Sequence, residues 1–214
     1  NLDLQNYRAL KDKEKHFALF ESRHQYAAQS GLIGDGLPNH KTLFNVVAGN
    51  RELAADAKTL QLRLEAPAVG GVKVAKLLTF TRGSYLINVA YEIDNGSQKE
   101  ISAHAYYQLQ RDTVAPEGEN KMVSTFTGPA VYTEQEKYQK IDFADIEKGK
   151  AKFNSKADNG WIAMVQHYFV SAWIPQEKQA REFYTRKLEG GANPAVAAGV
   201  IVPTPVVAPG SKIN

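Results

Sequence analysis

The sequence contains no cysteine. That absence excludes a disulfide framework, thiolate metal sites and a cysteine nucleophile, and it leaves the compartment open, because disulfide-free chains occur on either side of a membrane. An excess of one charge is also missing. Lysine and arginine number 26 against 23 acidic residues, a net charge of +3, and the basic residues are scattered rather than gathered into a stripe, so no nucleic-acid partner is expected. No hydrophobic run reaches the roughly 20 residues of a membrane helix. The longest, residues 161–174 (WIAMVQHYFVSAWI), is interrupted by Gln166 and His167. The opening NLDLQNY has no initiator methionine and no basic region leading into an apolar run, and the chain reads as an excised or processed domain.

What is present is an ordinary globular composition, 43% hydrophobic and 23% charged over 214 residues, enough to bury a core without covalent help. One domain, residues 1–214, is expected. Turn residues punctuate the first half about every dozen positions, the spacing of an all-β sandwich or barrel. Residues 84–94 (SYLINVAYEID) put Tyr85, Ile87, Val89, Tyr91 and Ile93 on one strand face. Residues 101–111 alternate through Ile101, Ala103, Ala105, Tyr107 and Leu109, and Asn95-Gly96 between the two segments predicts a tight hairpin. Residues 60–66 and 72–81 complete a predicted four-strand meander. Propensity makes residues 176–188 a helix and allows a short one in 142–153, weakened by Gly149. Residues 134–140 read as a loop and 190–199 as an exposed connection. Pro203 and Pro205 consign residues 200–207 to a sheet edge. No period of 20 to 50 residues indicates a solenoid or propeller.

Catalytic constellations are not found. His16, His24, His40, His104 and His167 have no i, i+2 or i, i+4 spacing for a metal, and neither a metal nor a cofactor is expected. His104 reads as solvent-facing and His167 as a core or interface residue. Gly31, Gly34 and Gly36 are in the wrong order for a phosphate loop and read as a surface turn. Asp142 and Asp145 could share a helical face but read as solvated or capping carboxylates. Asn95-Gly96-Ser97 fits a glycosylation sequon, which a hairpin turn explains better. Aromatic residues, by contrast, crowd one third of the chain: Phe126, Tyr132, Tyr138, Phe143, Trp161, Tyr168, Phe169 and Trp173. They are either the filling of a sandwich core or, in part, a partner-binding surface, where tyrosine and tryptophan are enriched.

Residues 124–138 (STFTGPAVYTEQEKY) and 160–175 (GWIAMVQHYFVSAWIP) resemble the large periplasmic domain of the YidC family of Gram-negative inner-membrane protein insertases. Gln29-Ser30-Gly31-Leu32, residues 80–85 (FTRGSY) running into Ile87-Asn88-Val89, and Phe183-Tyr184-Thr185 support the match, in order, from about residue 17 to 207. Residues 1–15 match less well. The resemblance implies an all-β fold, a galactose mutarotase-like β-supersandwich of twisted antiparallel sheets with one or two short helices. It implies an extended run at 161–174, with Trp161 and Trp173 on one face if that strand is continuous, and a strand from near Glu182 in place of the helix.

For function, the resemblance implies a non-enzymatic periplasmic accessory domain of a multi-pass inner-membrane protein, acting in protein transport and as a chaperone. The SecDF accessory complex and the Sec translocon are the implied partners, with nascent membrane-protein segments as possible clients. The membrane-embedded insertase core and its arginine-bearing groove are not in this sequence, so the domain is not expected to insert anything by itself. The segment implied to meet SecDF coincides with the aromatic third, giving Phe126, Tyr132, Tyr138, Trp161, His167, Tyr168 and Trp173 as candidate contacts. An aromatic-lined opening for an extended polypeptide follows as an expectation, unless Tyr132, Tyr138, Tyr168 and Phe169 are all buried. The competing class is a carbohydrate-binding or mutarotase-like protein, with His104 and Glu92 as the nearest acid and base pair.

Overall fold

The computed structural model describes residues 2–9, 12–116, 125–166, 168–176, 178–190 and 193–214. In chain order the elements are β1 (Leu2–Arg8), β2 (His16–Phe20), a 3-10 turn (Ser22–His24), β3 (Ala27–Ile33), β4 (Asn45–Val46), β5 (Thr59–Glu65), β6 (Val72–Thr81), β7 (Ile87–Asn95) and β8 (His104–Asp112). There follow β9 (Thr127–Thr133), β10 (Lys137–Lys140), α1 (Phe143–Glu147), β11 (Lys156–Ala157), β12 (Trp161–Gln166), β13 (Phe169–Trp173), β14 (Arg181–Leu188), β15 (Ala195–Pro203) and β16 (Lys212–Ile213). The fold class is the expected one, nearly all-β with antiparallel sheets and one short helix. The chain divides into two compact units, residues 1–30 with 106–203 and residues 31–105 with 204–214.

The second unit is built on a five-stranded sheet in the order β16-β7-β6-β5-β4. Its middle, β5-β6-β7, is the first three strands of the predicted four-strand meander. Gly70 and Gly71, at φ 59° and 84°, reverse the chain between Val69 and Val72, which exchange backbone hydrogen bonds of 3.1 and 2.9 Å. Register sets Leu62, Leu78 and Val89 on one face, with Leu64, Lys76 and Tyr91 beside them. Alternation thus produces the apolar face, but β7 begins only at Ile87 and leaves Tyr85 and Leu86 exposed in the turn before it.

The hairpin predicted at Asn95-Gly96 does not form. β7 pairs with β16 on its other side, through Asp94 with Lys212 and Ile93 with Ile213, and β8 joins a different sheet. Neither Asn95 nor Gly96 takes the positive φ that a tight hairpin turn needs. Asn95 is instead fully buried, its Nδ2 donating to the carbonyls of Lys99 (2.7 Å) and Val207 (2.8 Å) while its Oδ1 accepts from Ser97. It stitches three segments together and presents no side chain for glycosylation.

The first unit contains a four-stranded sheet, β10-β9-β12-β13, a second sheet in the order β11-β14-β15-β8-β3, and the β1-β2 hairpin. β12 packs with β15, and fully buried Val131, Ile162, Met164, Val196 and Val200 form the centre. Several expectations are corrected here. Residues 195–200 are not an exposed connection but the wholly buried stretch of β15, a central strand between β14 and β8. Both of its faces are covered, so no alternation marks it, and its small residues admit close neighbours. At Gly199 an added Cβ would meet the Tyr184 hydroxyl at 2.5 Å. The edge strand expected at 200–207 is therefore absent: Pro203 is the last residue of central β15, and Pro205 lies beyond it.

Residues 181–188 form β14, not a helix, because pairing with β15 from Glu182–Ile201 to Leu188–Ala195 outweighs propensity, as the family resemblance implied. The supposed loop at 134–140 contains β10, reached through Lys137 at φ 56° and paired with β9. The possible helix at 142–153 is only α1, after which Gly149 takes φ 66°. The run 161–174 is extended but folds back on itself as the β12-β13 hairpin, Val165 pairing with Val170 and Ile162 with Trp173. Trp161 and Trp173 consequently lie on opposite faces.

Candidate partner-contact surface

Register alone assembles the surface. Tyr138 on β10 stands opposite Tyr132 on β9, which stands opposite Trp161 on β12, a row of three rings across three strands on one face. The Tyr132 and Trp161 rings stack at 5.6 Å and 12°, and Tyr138 tilts against Trp161 at 6.1 Å. Gly160 fixes the row: at φ 93° it brings the backbone so close that a Cβ would lie 1.9 Å from the Tyr132 carbonyl oxygen. The same face continues through Ala163 and Val165 to Ala172 and Val170 on β13. Tyr138 is 46% exposed and Val170 59%, whereas Tyr132 and Trp161 are half-buried.

The opposite face points inward and is held by polar contacts. Arg111, buried on β8, donates to Gln166 Oε1 at 2.6 Å and to the Val114 carbonyl at 3.0 Å. Tyr26 donates to Ser171 Oγ at 2.8 Å, and burial pushes its phenol up to about 12 against the opposing effects of that bond and of Arg111. His24 Nδ1 lies 3.2 and 3.3 Å from the two oxygens of buried Asp112. Trp173 packs on Tyr107 at 5.0 Å. At the base of the row, Arg181 donates to the carbonyls of Gly160 (2.7 Å), Gln179 (3.0 Å), Asp158 (3.2 Å), Pro175 (3.5 Å) and Gln176. Gln108 is a second hub, accepting from Tyr184 (2.8 Å) and Arg186 (3.0 Å) and donating to Gln29 (2.6 Å). Burial raises the Tyr184 phenol to about 12, opposed by Arg186.

Of the seven candidate contacts, the structure brings Tyr132, Tyr138 and Trp161 together. Phe126 is half-buried at the other end of β9, its ring where a Gly128 side chain would stand and its face 5.0 Å from Lys140 Nζ. Tyr168 is 79% exposed at the β12-β13 turn. Trp173 belongs to the inner face and is half-buried. His167 lies outside the described residues. Since Tyr138 and Tyr168 are exposed, the condition that would have excluded an aromatic surface is not met.

Sequence reasoning missed Arg111, Asp112, Gln108 and Arg181. Their partners come from up to 88 positions away, and no local spacing announces such contacts. The His104–Glu92 pair is not assembled, because β7 and β8 are in different sheets and Glu92 accepts from Arg63 (2.7 Å) and contacts Lys212 (3.1 Å). Those hydrogen bonds, Arg63 first, hold the Glu92 carboxyl below its ordinary range, the reverse of what a general base near neutrality requires. Among the described residues no group of three or more His, Asp or Glu could hold a metal ion, and no helix is long and apolar enough to cross a membrane.

These features define an antiparallel all-β module whose candidate site is a half-exposed aromatic sheet face rather than a chemical pocket. The model of the YidC periplasmic domain family matches residues 1–214, and the chain belongs to that family. It is 58% identical over 212 residues to the membrane protein insertase YidC of Dechloromonas aromatica, covering 99% of this chain and 38% of that protein. It is also similar to the proteins of the same name from Aromatoleum aromaticum, 53% over 214 residues (99% and 38%), and Nitrosospira multiformis, 50% over 213 residues (99% and 37%). The chain thus spans under two fifths of the length of these relatives.

Proposed function

We propose that this chain is a single non-enzymatic interaction domain on the periplasmic face of the inner membrane, serving a membrane protein insertase that works with the Sec translocon. The observation that carries the reading is the Tyr138–Tyr132–Trp161 row, turned outward by strand register and set on a polar-braced sheet. Large amphipathic rings held rigidly lose little entropy on association, which suits a protein-contact surface. The partner is the SecDF complex, meeting the outer face of β10-β9-β12 around Tyr138, with Tyr168 at its margin.

Co-purification of SecDF with the full-length insertase tests this reading. Tyr138→Ala and Tyr168→Ala alter exposed rings and leave the inner face intact, so recovery of SecDF is expected to fall while circular dichroism is unchanged. Full recovery with both variants folded would overturn the partner assignment. An accessory role further predicts that removing most of residues 17–109 from the full-length protein spares membrane insertion; complete loss of insertion would overturn it.

A further inference from the structure

β13 is an edge strand, pairing with β12 alone among the described residues. Edges normally carry a guard against added strands, a charge, a proline or extreme shortness. Several other edges follow that rule: β1 has Asp3 and Arg8, β10 has Lys137 and Lys140, β11 has Lys156, β16 has Lys212, and β4 is only two residues long. The edge strands β2 (HFALF) and β3 (AAQSGLI) also lack a guard, but β2 has no exposed residue and β3 buries Ser30, Gly31 and Leu32. β13 (FVSAW) has no guard, and residues 161–176 contain no Asp, Glu, Lys or Arg at all. Its outward row is apolar and open: Val170 is 59% exposed, Ala172 is exposed, and Ile174 just beyond is 62% exposed.

The strand is also already rigid. On its inner side Phe169 stacks on Phe17 at 4.2 Å, Ser171 accepts from Tyr26, and Trp173 packs on Tyr107. An incoming chain would therefore meet a pre-formed template and bear only its own ordering cost.

We propose that β13 is a strand-addition site, on which an extended, uncharged polypeptide segment with apolar residues at alternate positions pairs as a fifth strand of the β10-β9-β12-β13 sheet. Charge selects this occupant, since an ionic side chain laid against Val170 or Ile174 would have no counter-ion in residues 161–176. The occupant is a partner polypeptide rather than a second copy. A strand of five residues paired with itself falls well short of the roughly 1,200 Å² of a stable interface, whereas transient capture of a passing chain needs no more. The relatives' name, membrane protein insertase, is consistent with clients rich in such segments. The inference is independent of which protein meets the Tyr138 row.

Hydrogen exchange of the full-length insertase tests it, with a synthetic peptide of alternating valine and threonine, ended by lysines, as the probe. Protection of the β13 amides is expected. An all-proline peptide of the same length, likewise uncharged along its run but without any backbone donor, is expected to give none. Val170→Lys and Ala172→Lys, both on the exposed row, are expected to weaken peptide binding by about tenfold or more without loss of fold. Tyr138→Ala, away from the edge, is expected to bind the peptide normally even where it loses SecDF, so the two readings fail separately. The proposal is overturned if β13 stays unprotected at saturating peptide, if the proline peptide protects equally, if the lysine variants bind as before, or if sedimentation shows that protection arises from self-association.

Discussion

The two units solve the same problem in different ways. The sheet of residues 31–105 and 204–214 keeps its ion pairs at the surface, Arg63 reaching Glu65 at 2.8 Å and Glu92 at 2.7 Å, and separates apolar from polar by alternation. The unit of residues 1–30 and 106–203 buries Arg111, Asp112, Gln108, Gln166 and Arg181 almost completely. Alternation tolerates many sequences. A buried polar network does not, since each unmet partner costs about 1 to 3 kcal/mol, and such a network backs the strands that display the aromatic row.

The largest effect that would sharpen this contrast is expected from Arg181→Lys. An ammonium cannot reproduce the planar fork that reaches five carbonyls, and the loss is expected to reach about 3 kcal/mol in urea denaturation, with altered tryptophan fluorescence from the displaced Trp161. In the other unit Asn95→Ala leaves the Lys99 and Val207 carbonyls without their donor and is expected to cost about 2 kcal/mol, with faster amide exchange in β16.

Lys76 is the exception within its sheet, and it gives a pH test. Its ammonium lies 4.9 Å from the Phe44 ring and 5.3 Å from Tyr91, and burial lowers its pKa to about 8 from an ordinary 10.5. Between those values the unfolded chain holds a proton that the folded chain has released, so stability rises with pH across that window, and the penalty is fully present below it. Lys76→Met is expected to raise Tm at pH 7 and to abolish that rise, as read from the difference between variant and parent melts from pH 7 to 10. Glu92→Gln is expected to show the smallest effect, under about 1 kcal/mol at pH 7 because the pair is only partly buried and water still screens it. Since the folded carboxyl is held low by Arg63, that contribution is present above the ordinary carboxylate range and is lost as pH falls through the folded value.

What could be read in advance follows the same division. β5, β6 and most of β7 were legible because their faces differ in polarity, and the meander lies in consecutive segments. β15 was not, since burial on both faces erases the period of two and its Ala-Gly composition imitates a connection. β14 was hidden from local propensity by residues that favour helices; the family resemblance implied the strand, and pairing with β15 is what forms it. For the candidate surface, the concentration of aromatics was visible, but their sorting depends on the reversal that pairs Gln166 with Phe169. That reversal sends Trp161 outward and Trp173 inward, a distinction no count of rings could make.

Arg181 has one more consequence. A cation ringed by carbonyl oxygens from residues 158, 160, 175, 176 and 179 is the arrangement by which many extracellular loops hold calcium. Here the ion is covalently part of the chain. It cannot be stripped by a chelator, does not depend on the surrounding divalent concentration, and keeps its charge at every pH the protein meets. The knot of loops beneath Trp161 therefore has a permanent counterpart to calcium, insensitive to the ionic changes to which calcium-bound loops respond.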